Sequence, residues 1–132
     1  MSEFLVTLDH VQVAAPPACE AAAREFYGGL LGMQELDKPD TLRGRGGCWF
    51  AIAAAGAQQL HIGVEEDFRP ARKAHPAFRI ARFDELRQRL TDHGCPVIDD
   101  NEIAGVRRFF SYDPWGNRLE FVEHAAPGAS LR

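Results

Sequence analysis

The sequence predicts an α+β fold made of two βαβββ modules, and three observations support this prediction. Each half of the chain reads as one strand, one helix and three further short strands. The halves repeat at a nearly fixed offset, since His75 lies 65 residues after His10 and Glu120 lies 59 residues after His61. These four residues are all of metal-ligand type and occupy paired positions in the repeat.

The length and composition are those of one ordinary domain. The chain has 132 residues, and we expect a single domain over 1–132, with module 1 at about 5–66, module 2 at about 74–124 and a short tail at 125–132. Hydrophobic residues make up 45% and charged residues 26%, which argues against a disordered or a membrane protein. A net charge of −4 provides no basic field for nucleic acid.

The N terminus and the cysteines predict a cytoplasmic location. The first ten residues include two acidic side chains and lack the basic start and apolar block of a signal peptide. Cys19, Cys48 and Cys95 are odd in number and widely spaced, as expected of free thiols in a reducing compartment. We expect these cysteines to serve in packing and not as ligands.

Module 1 begins with a strand at Leu5–Ala14, which is rich in β-forming residues and is stopped by Pro16 and Pro17. A helix follows at Ala18–Leu31, with apolar residues at helical spacing and Gly32 as its C-terminal cap. Three β-like runs separated by turn-forming residues complete the module: Met33–Leu36, Gly47–Ala54 and Gln58–Val64.

Module 2 repeats this plan. A short strand at Pro76–Ala81 precedes a helix at Phe83–His93, which Gly94 caps. A turn at Asp113–Asn117, rich in Pro, Gly and Asn, separates the last two strands. The three strands after the helix are Val97–Asp99, Val106–Tyr112 and Arg118–Glu123.

The paired residues have the chemistry of a metal site. Alternate residues of a strand share a face, so His10 lies with Gln12 and opposite the valines on either side of it. His61 and Glu120 are likewise flanked by apolar residues that can enter the core. Imidazole nitrogens and a carboxylate oxygen suit divalent zinc, nickel, iron, manganese or cobalt, and leave positions open for a substrate. The pattern predicts a metal site drawn from His10, His61, His75 and Glu120.

The two remaining histidines lack this support. A single strand histidine is more often structural or exposed than a ligand, and only the paired positions raise the chance for the other four. His93 and His124 have no partners in the repeat. We therefore expect both to be solvated.

Four motifs between about Leu8 and Glu123 carry a resemblance to a known family. The chain resembles the vicinal oxygen chelate superfamily of glyoxalases, bleomycin-resistance proteins and extradiol dioxygenases. The resemblance implies that paired βαβββ modules form a curved, cup-shaped mixed sheet with the helices outside, and that His10, His75 and Glu120 hold a metal. The motifs are Leu8-Asp9-His10-Val11, Phe26-Tyr27-Gly28-Gly29-Leu30-Leu31-Gly32-Met33, Ala74-His75-Pro76-Ala77-Phe78 and Asp113-Pro114-Trp115-Gly116-Asn117-Arg118-Leu119-Glu120.

The resemblance also implies a function. We expect a divalent-metal-dependent enzyme of the lyase, isomerase or thiol transferase type, acting on a small oxygen-bearing substrate. His61 matches a position that is a glutamate in bacterial glyoxalase I enzymes, where metal-bound carboxylates move a proton beside a carbonyl. Glu120 is then the only evident carboxylate base, and His61 is a second candidate for proton transfer.

Two alternatives stay open. His10, His75 and Glu120 also fit the facial triad of an extradiol-type dioxygenase holding iron(II), with His61 as an acid or base beside it. The third class is a non-enzymatic binder of small molecules or drugs, like the bleomycin-resistance proteins, which needs no metal.

Substrate contacts are expected from Gln12, Arg79 and Tyr112. Gln12 shares the face of His10, and Arg79 shares the face of His75, where it either binds an anion or pairs with a neighbouring acid. Tyr112 belongs to a group of strand aromatics whose faces the sequence leaves open; the others are Trp49, Phe50 and Phe110.

We also expect a homodimer. In the family that the chain resembles, βαβββ modules often pair across chains. In such a dimer, His10 and His61 of one chain would meet His75 and Glu120 of the other, and two-fold symmetry would create two equivalent sites. The sequence alone leaves pairing within one chain equally open.

Overall fold

A computed structural model describes residues 1–124, so the tail expected at 125–132 lies outside the described residues. The chain divides into two compact units, Met1–Arg69 and Pro70–Arg132, called here unit 1 and unit 2. Each unit has the βαβββ order and one four-stranded mixed sheet, which confirms the predicted α+β fold. Within the described residues, no helix is both long enough and apolar enough to span a membrane.

Unit 1 forms a sheet with the strand order β1-β4-β3-β2. The neighbouring strands β1 and β4 are parallel, and the other neighbours are antiparallel. The elements in chain order are β1 His10–Ala15, α1 Glu20–Ala23, a π-helix Arg24–Leu30, β2 Gln34–Leu36, a 3₁₀ helix Asp40–Arg45, β3 Cys48–Ala51 and β4 Gln59–Val64.

Unit 2 has the same topology, with the order β5-β8-β7-β6 and a parallel β5–β8 pair. The side chain of Asp113 accepts the backbone N–H groups of Trp115 (3.0 Å) and Asn117 (2.8 Å), which builds the expected turn between the last two strands. The elements are β5 Ala77–Arg79, α2 Phe83–Asp92, β6 Ile98–Asp100, β7 Val106–Tyr112 and β8 Arg118–His124.

The sheet register confirms the internal repeat residue by residue. Gln12 pairs with His61 across β1 and β4, and Ala77 pairs with Glu120 across β5 and β8. His10 thus lies two residues before Gln12, the partner of His61, and His75 lies two residues before Ala77, the partner of Glu120.

The first strand starts later than predicted. β1 begins at His10 and not at Leu5, because it is bonded to β4, whose first residue Gln59 pairs with His10. Residues 5–9 find no partner strand among residues 1–124, so their β-forming side chains do not suffice to make a strand. Phe4, Leu5 and Val6 consequently stay exposed.

The first helix is also shorter and wider than predicted. Ala18 has a φ of 63°, outside the right-handed helical region, so the helix begins only at Glu20. Its second half is a π-helix, in which the Leu31 N–H donates to the Phe26 carbonyl five residues back (2.9 Å). Gly32 follows with a φ of 78°, as expected of a glycine cap.

Each unit buries one face of its sheet against its helix. In unit 2, the rings of Phe83 and Phe109 meet edge to face at 5.2 Å, and Leu90 closes the core. Cys19 and Cys48 are buried free thiols in unit 1, and burial raises the pKa of Cys48 to about 11, consistent with their expected packing role. The opposite faces of the two sheets are the polar ones and carry the predicted site residues.

Candidate functional site

The polar face of unit 1 holds a stack of three rings. The His61 ring lies between the His10 ring at 4.1 Å and the Trp49 ring at 4.0 Å, with interplanar angles of 14° and 4°. Register explains the stack, because Trp49 and Gln12 flank His61 on the neighbouring strands. Trp49 therefore belongs to the site face, whereas Phe50 enters the core with no exposed surface.

His10 is oriented by the residue before it. Its Nδ1 donates a hydrogen bond to Oδ1 of Asp9 at 2.8 Å, which fixes the tautomer and leaves Nε2 as the ring acceptor. The side chain is 43% exposed, so this nitrogen remains accessible. A carboxylate on the far nitrogen is the usual support of a metal-binding histidine.

His61 is held more tightly. Only 5% of the residue is exposed, and its Nε2 donates to Oε1 of Gln59 at 2.9 Å. Burial, and then the nearby charge of His10, lower the pKa of His61, which favours the neutral ring required of a ligand or a base.

The side chain of Gln12 reaches diagonally over Gly63 on the neighbouring strand. A Cβ atom at position 63 would approach the Gln12 Nε2 to 2.5 Å, so the glycine makes room for this side chain. Gln12 thus shares the face of His10, as predicted, and its position depends on the absence of a side chain at residue 63.

The polar face of unit 2 brings His75 and Glu120 together. Nε2 of His75 lies 2.8 Å from Oε1 of Glu120, and Nδ1 of the same ring donates to the Lys73 carbonyl at 2.8 Å. Glu120 is only 8% exposed, and each of its oxygens has a partner.

The second partner of Glu120 is Arg108, which the sequence analysis missed. Its guanidinium donates to Oε2 of Glu120 at 3.2 Å and to Oδ2 of Asp100 at 3.2 Å. These residues lie on β8, β7 and β6, and they meet because Asp100 pairs with Arg108, which stands diagonally from Glu120. The only available signal was strand alternation, which places Arg108 on a face but does not choose its neighbour.

The other predicted residues of unit 2 are placed by the same register. Arg79 is exposed and shares the face of Glu120, and it forms no ion pair with any acid among residues 1–124, so both roles expected for it stay predictions. Tyr112 pairs with Arg118 and Phe110 pairs with Glu120, so both aromatic residues lie on the site face.

The two histidines expected to be solvated differ in outcome. His93 is exposed, and its Nδ1 donates to the Arg89 carbonyl at 2.9 Å, which agrees with the prediction. His124 is half-buried, and its buried Nδ1 has no hydrogen-bond partner among the described residues. The prediction for His124 is wrong because strand β8 continues through this residue and draws it into the sheet.

The four predicted ligands thus occur as two pairs, His10 with His61 and His75 with Glu120. Among residues 1–124, no three His, Cys, Asp or Glu side chains lie together as a ready metal site. The donors nevertheless fit a divalent metal in their chemistry. His10 and His75 each have Nδ1 bonded to an oxygen, as metal-binding histidines usually do, which leaves Nε2 as the nitrogen that would bind the metal.

A surface cavity of about 430 Å³ lies elsewhere in unit 1 and includes none of the predicted site residues. Its charged walls are already paired in part, since Arg24 donates to Glu35 at 2.8 Å. The lining residues include Glu20, Arg24, Glu35, Asp37, Lys38 and Arg43.

Comparison with known proteins identifies the family. The model of the Glyoxalase/Bleomycin resistance protein/Dioxygenase superfamily matches residues 7–121. The chain belongs to this superfamily. Among solved structures, a putative glyoxalase family protein from Bacillus anthracis is 51% identical, with a TM-score of 0.87, and the match covers 94% of this chain and 99% of that one. No curated protein matches the chain.

More distant superfamily members share the fold alone. TnmS3, an antibiotic binding protein from Streptomyces sp. CB03234, is 18% identical with a TM-score of 0.74, and the match covers 94% of this chain and 100% of that one. The genomically encoded fosfomycin resistance protein FosX from Listeria monocytogenes is 17% identical with a TM-score of 0.71, over 92% of this chain and 96% of that one.

Proposed function

We propose that this superfamily member is a divalent-metal-dependent enzyme acting on a small oxygen-bearing substrate, as a lyase, isomerase or thiol transferase. The observation that carries the proposal is the contact between Nε2 of His75 and Oε1 of Glu120 (2.8 Å), with Nδ1 of His75 anchored on the Lys73 carbonyl. An imidazole nitrogen and a carboxylate oxygen held this close together are the donor types that a divalent cation binds.

The metal site would consist of His10, His75 and Glu120, with His61 as a further ligand or as an acid or base. The candidate metals are zinc, nickel, iron, manganese and cobalt. When bound, such a metal polarises a substrate oxygen and stabilises the negative charge that develops on it. A histidine binds a metal only through an unprotonated ring nitrogen, so metal binding should be accompanied by release of protons.

The side chains supply the remaining chemistry. Glu120, oriented by Arg108, is the carboxylate base for a proton beside the polarised oxygen. His61, kept neutral by its lowered pKa, is the second group able to take or return a proton. Gln12 and Tyr112 lie on the same faces as these groups and would orient the substrate.

Metal analysis tests the proposal most directly. Protein stripped with a chelator and titrated with each candidate metal should bind one ion per complete site, with proton release. The loaded protein should then catalyse thiol addition, isomerisation or cleavage on a panel of small carbonyl, epoxide and phosphonate compounds. Oxygen uptake with a catechol in the presence of iron(II) alone would instead indicate the dioxygenase class, and absence of binding for every metal would reject both.

One observation favours a second candidate, a non-enzymatic small-molecule binder. Both oxygens of Glu120 are already satisfied by His75 and Arg108, so this polar network is complete without an ion. TnmS3, which is described as an antibiotic binding protein, shares the fold. A binder of this class should hold aromatic compounds with equal affinity in chelator and in metal.

We also propose a homodimer. Three consecutive large apolar side chains, Phe4, Leu5 and Val6, are exposed by 89%, 81% and 96% in the single chain. Burial of apolar surface of this kind is the usual driving force of association. Light scattering at micromolar concentration should give twice the chain mass, and a monomer would reject this assembly.

A further inference from the structure

The polar face of unit 2 carries more positive than negative charge. Arg79, Arg108 and Arg118 share this face with two carboxylates, Glu120 and Asp100. Arg108 uses both carboxylates, donating to each at 3.2 Å. Neither Arg79 nor Arg118 forms an ion pair with an acid among residues 1–124. The charge of Arg118 acts on Asp100 at longer range, as a minor cause of the lowered pKa of Asp100 after the hydrogen bond from the Glu102 N–H.

Arg118 differs from Arg79 in being fixed in place. Its guanidinium carbon lies 4.1 Å from the centre of the Phe110 ring, whereas Arg79 is exposed. The Nε atom of Arg118 is buried and has no hydrogen-bond partner among the described residues. Because this atom is buried, an anion would be bound instead by the two Nη groups, which form no hydrogen bond with any residue among 1–124.

Arg118 also stands beside the proposed metal ligand. It precedes Glu120 by two residues on β8, which places the two on one face about 7 Å apart along the strand. Tyr112, directly opposite Arg118 in the register, lies on the same face. If the reacting oxygen of a small molecule lay at Glu120, a group a few bonds away in the same molecule would therefore reach the guanidinium of Arg118.

We propose that Arg118 binds an anionic group of the substrate, a carboxylate, phosphonate or phosphate, through the planar fork of its guanidinium. The inference deepens the proposed function and rests on it only for the position of the reacting oxygen, since the anion would be bound by Arg118 itself, whose guanidinium is held against the Phe110 ring. A guanidinium matches such anions with two parallel hydrogen bonds. The substrate class is thus narrowed to small oxygen-bearing anions.

Anion binding to the metal-free full chain tests the proposal. Inorganic phosphate and succinate are titrated in chelator against the wild type, Arg118→Gln, Arg118→Lys and Arg107→Gln. Arg107→Gln is the matched control, because it removes the same charge from the opposite face of β7, where Arg107 is paired with Asp84 and Glu123. Circular dichroism and thermal melting verify that each variant is folded.

We expect Arg118→Gln to weaken binding of at least one anion by about tenfold or more, Arg118→Lys to recover part of it, and Arg107→Gln to leave it unchanged. Equal binding by the wild type and Arg118→Gln, or binding of neither anion by the wild type, would overturn the inference. If Arg118→Gln fails to fold, Arg118→Lys takes its place, and binding equal to that of the wild type would then overturn the inference. Metal titration of the same proteins separates the two proposals. Loss of anion binding in Arg118→Gln with no metal binding in any protein would support this site and reject the metal-dependent function.

Discussion

The imidazole of His75 and the carboxylate of Glu120 meet at 2.8 Å although they are 45 residues apart in the chain. The contact joins the segment before β5 to the middle of β8, the strand that pairs with β5. The same position in unit 1 is occupied by His61, which stacks on His10 at 4.1 Å. The repeat therefore presents a histidine beside a second donor in each unit.

His10→Ala, His75→Ala and Glu120→Ala should each weaken metal affinity by more than about 100-fold, because loss of a supporting hydrogen bond alone costs roughly 10- to 100-fold. Isothermal titration with zinc or nickel measures this. His61→Ala should lose less. His93→Ala is the control, since His93 is exposed and bonded only within its helix end. Unchanged affinity in all four site variants would refute the ligand assignment.

Arg108→Met should lower the free energy of unfolding by about 2 to 3 kcal/mol, because it leaves the buried Glu120 with an unpartnered oxygen. Arg107→Met, next in the chain, should cost clearly less, since its ion pairs are largely exposed. Urea unfolding of both variants provides the comparison. Equal losses would contradict a structural role for the pair of Arg108 and Glu120.

Stability should fall as the pH drops below about 6.5, in part because of His61. Its pKa in the folded chain lies below the ordinary value of 6.5, owing first to burial and then to His10. His61 therefore binds a proton more readily in the unfolded chain than in the folded chain. The stability that neutral His61 contributes above pH 6.5 is lost as the pH falls toward its pKa in the folded chain. His61→Phe, which keeps a ring between His10 and Trp49, should lose less stability between pH 7.5 and 5.5 than wild type. Urea unfolding at both pH values tests this, and an equal loss would assign the effect to other groups.

Gly63→Ala should disturb substrate binding while changing the free energy of unfolding by less than about 1 kcal/mol. The new Cβ atom would push away the flexible end of Gln12, 2.5 Å from its position, and the three atoms nearest to it all belong to that side chain. Once a substrate is found, KM should rise in Gly63→Ala and in Gln12→Ala, and the double variant should show no further rise. Gly56→Ala, where the added Cβ meets open space, is the control. Additive effects would mean that Gly63 does not act through Gln12.

Mixing two inactive variants tests whether the site is shared between chains. If His10 of one chain and Glu120 of another bind the same ion, a mixed dimer of His10→Ala and Glu120→Ala has one site with both defects and one with neither. Metal binding should then partly return after subunit exchange. If every site is built within one chain, each keeps a defect and nothing returns, which would reject the shared site.

Local pattern in the sequence was sufficient for much of the fold. The helix at Phe83–Asp92, the strand at Val106–Tyr112 and the turn after it follow from periodicity and turn residues, and the structure has them at nearly the predicted bounds. The alternation of strand side chains also places Gln12 with His10 and Arg79 with His75 on their site faces. These features depend on residues close in the chain, which is why the sequence alone predicts them.

Tertiary structure decided what depends on pairing between distant strands. The start of β1 at His10 is set by the first residue of β4, and the Arg108 bridge from Glu120 to Asp100 exists only because three strands meet in one register. The position of the His61 ring between His10 and Trp49 has the same origin. A local pattern assigns each residue to a face, but its neighbour on that face is fixed by cross-strand register, which only the folded sheet determines.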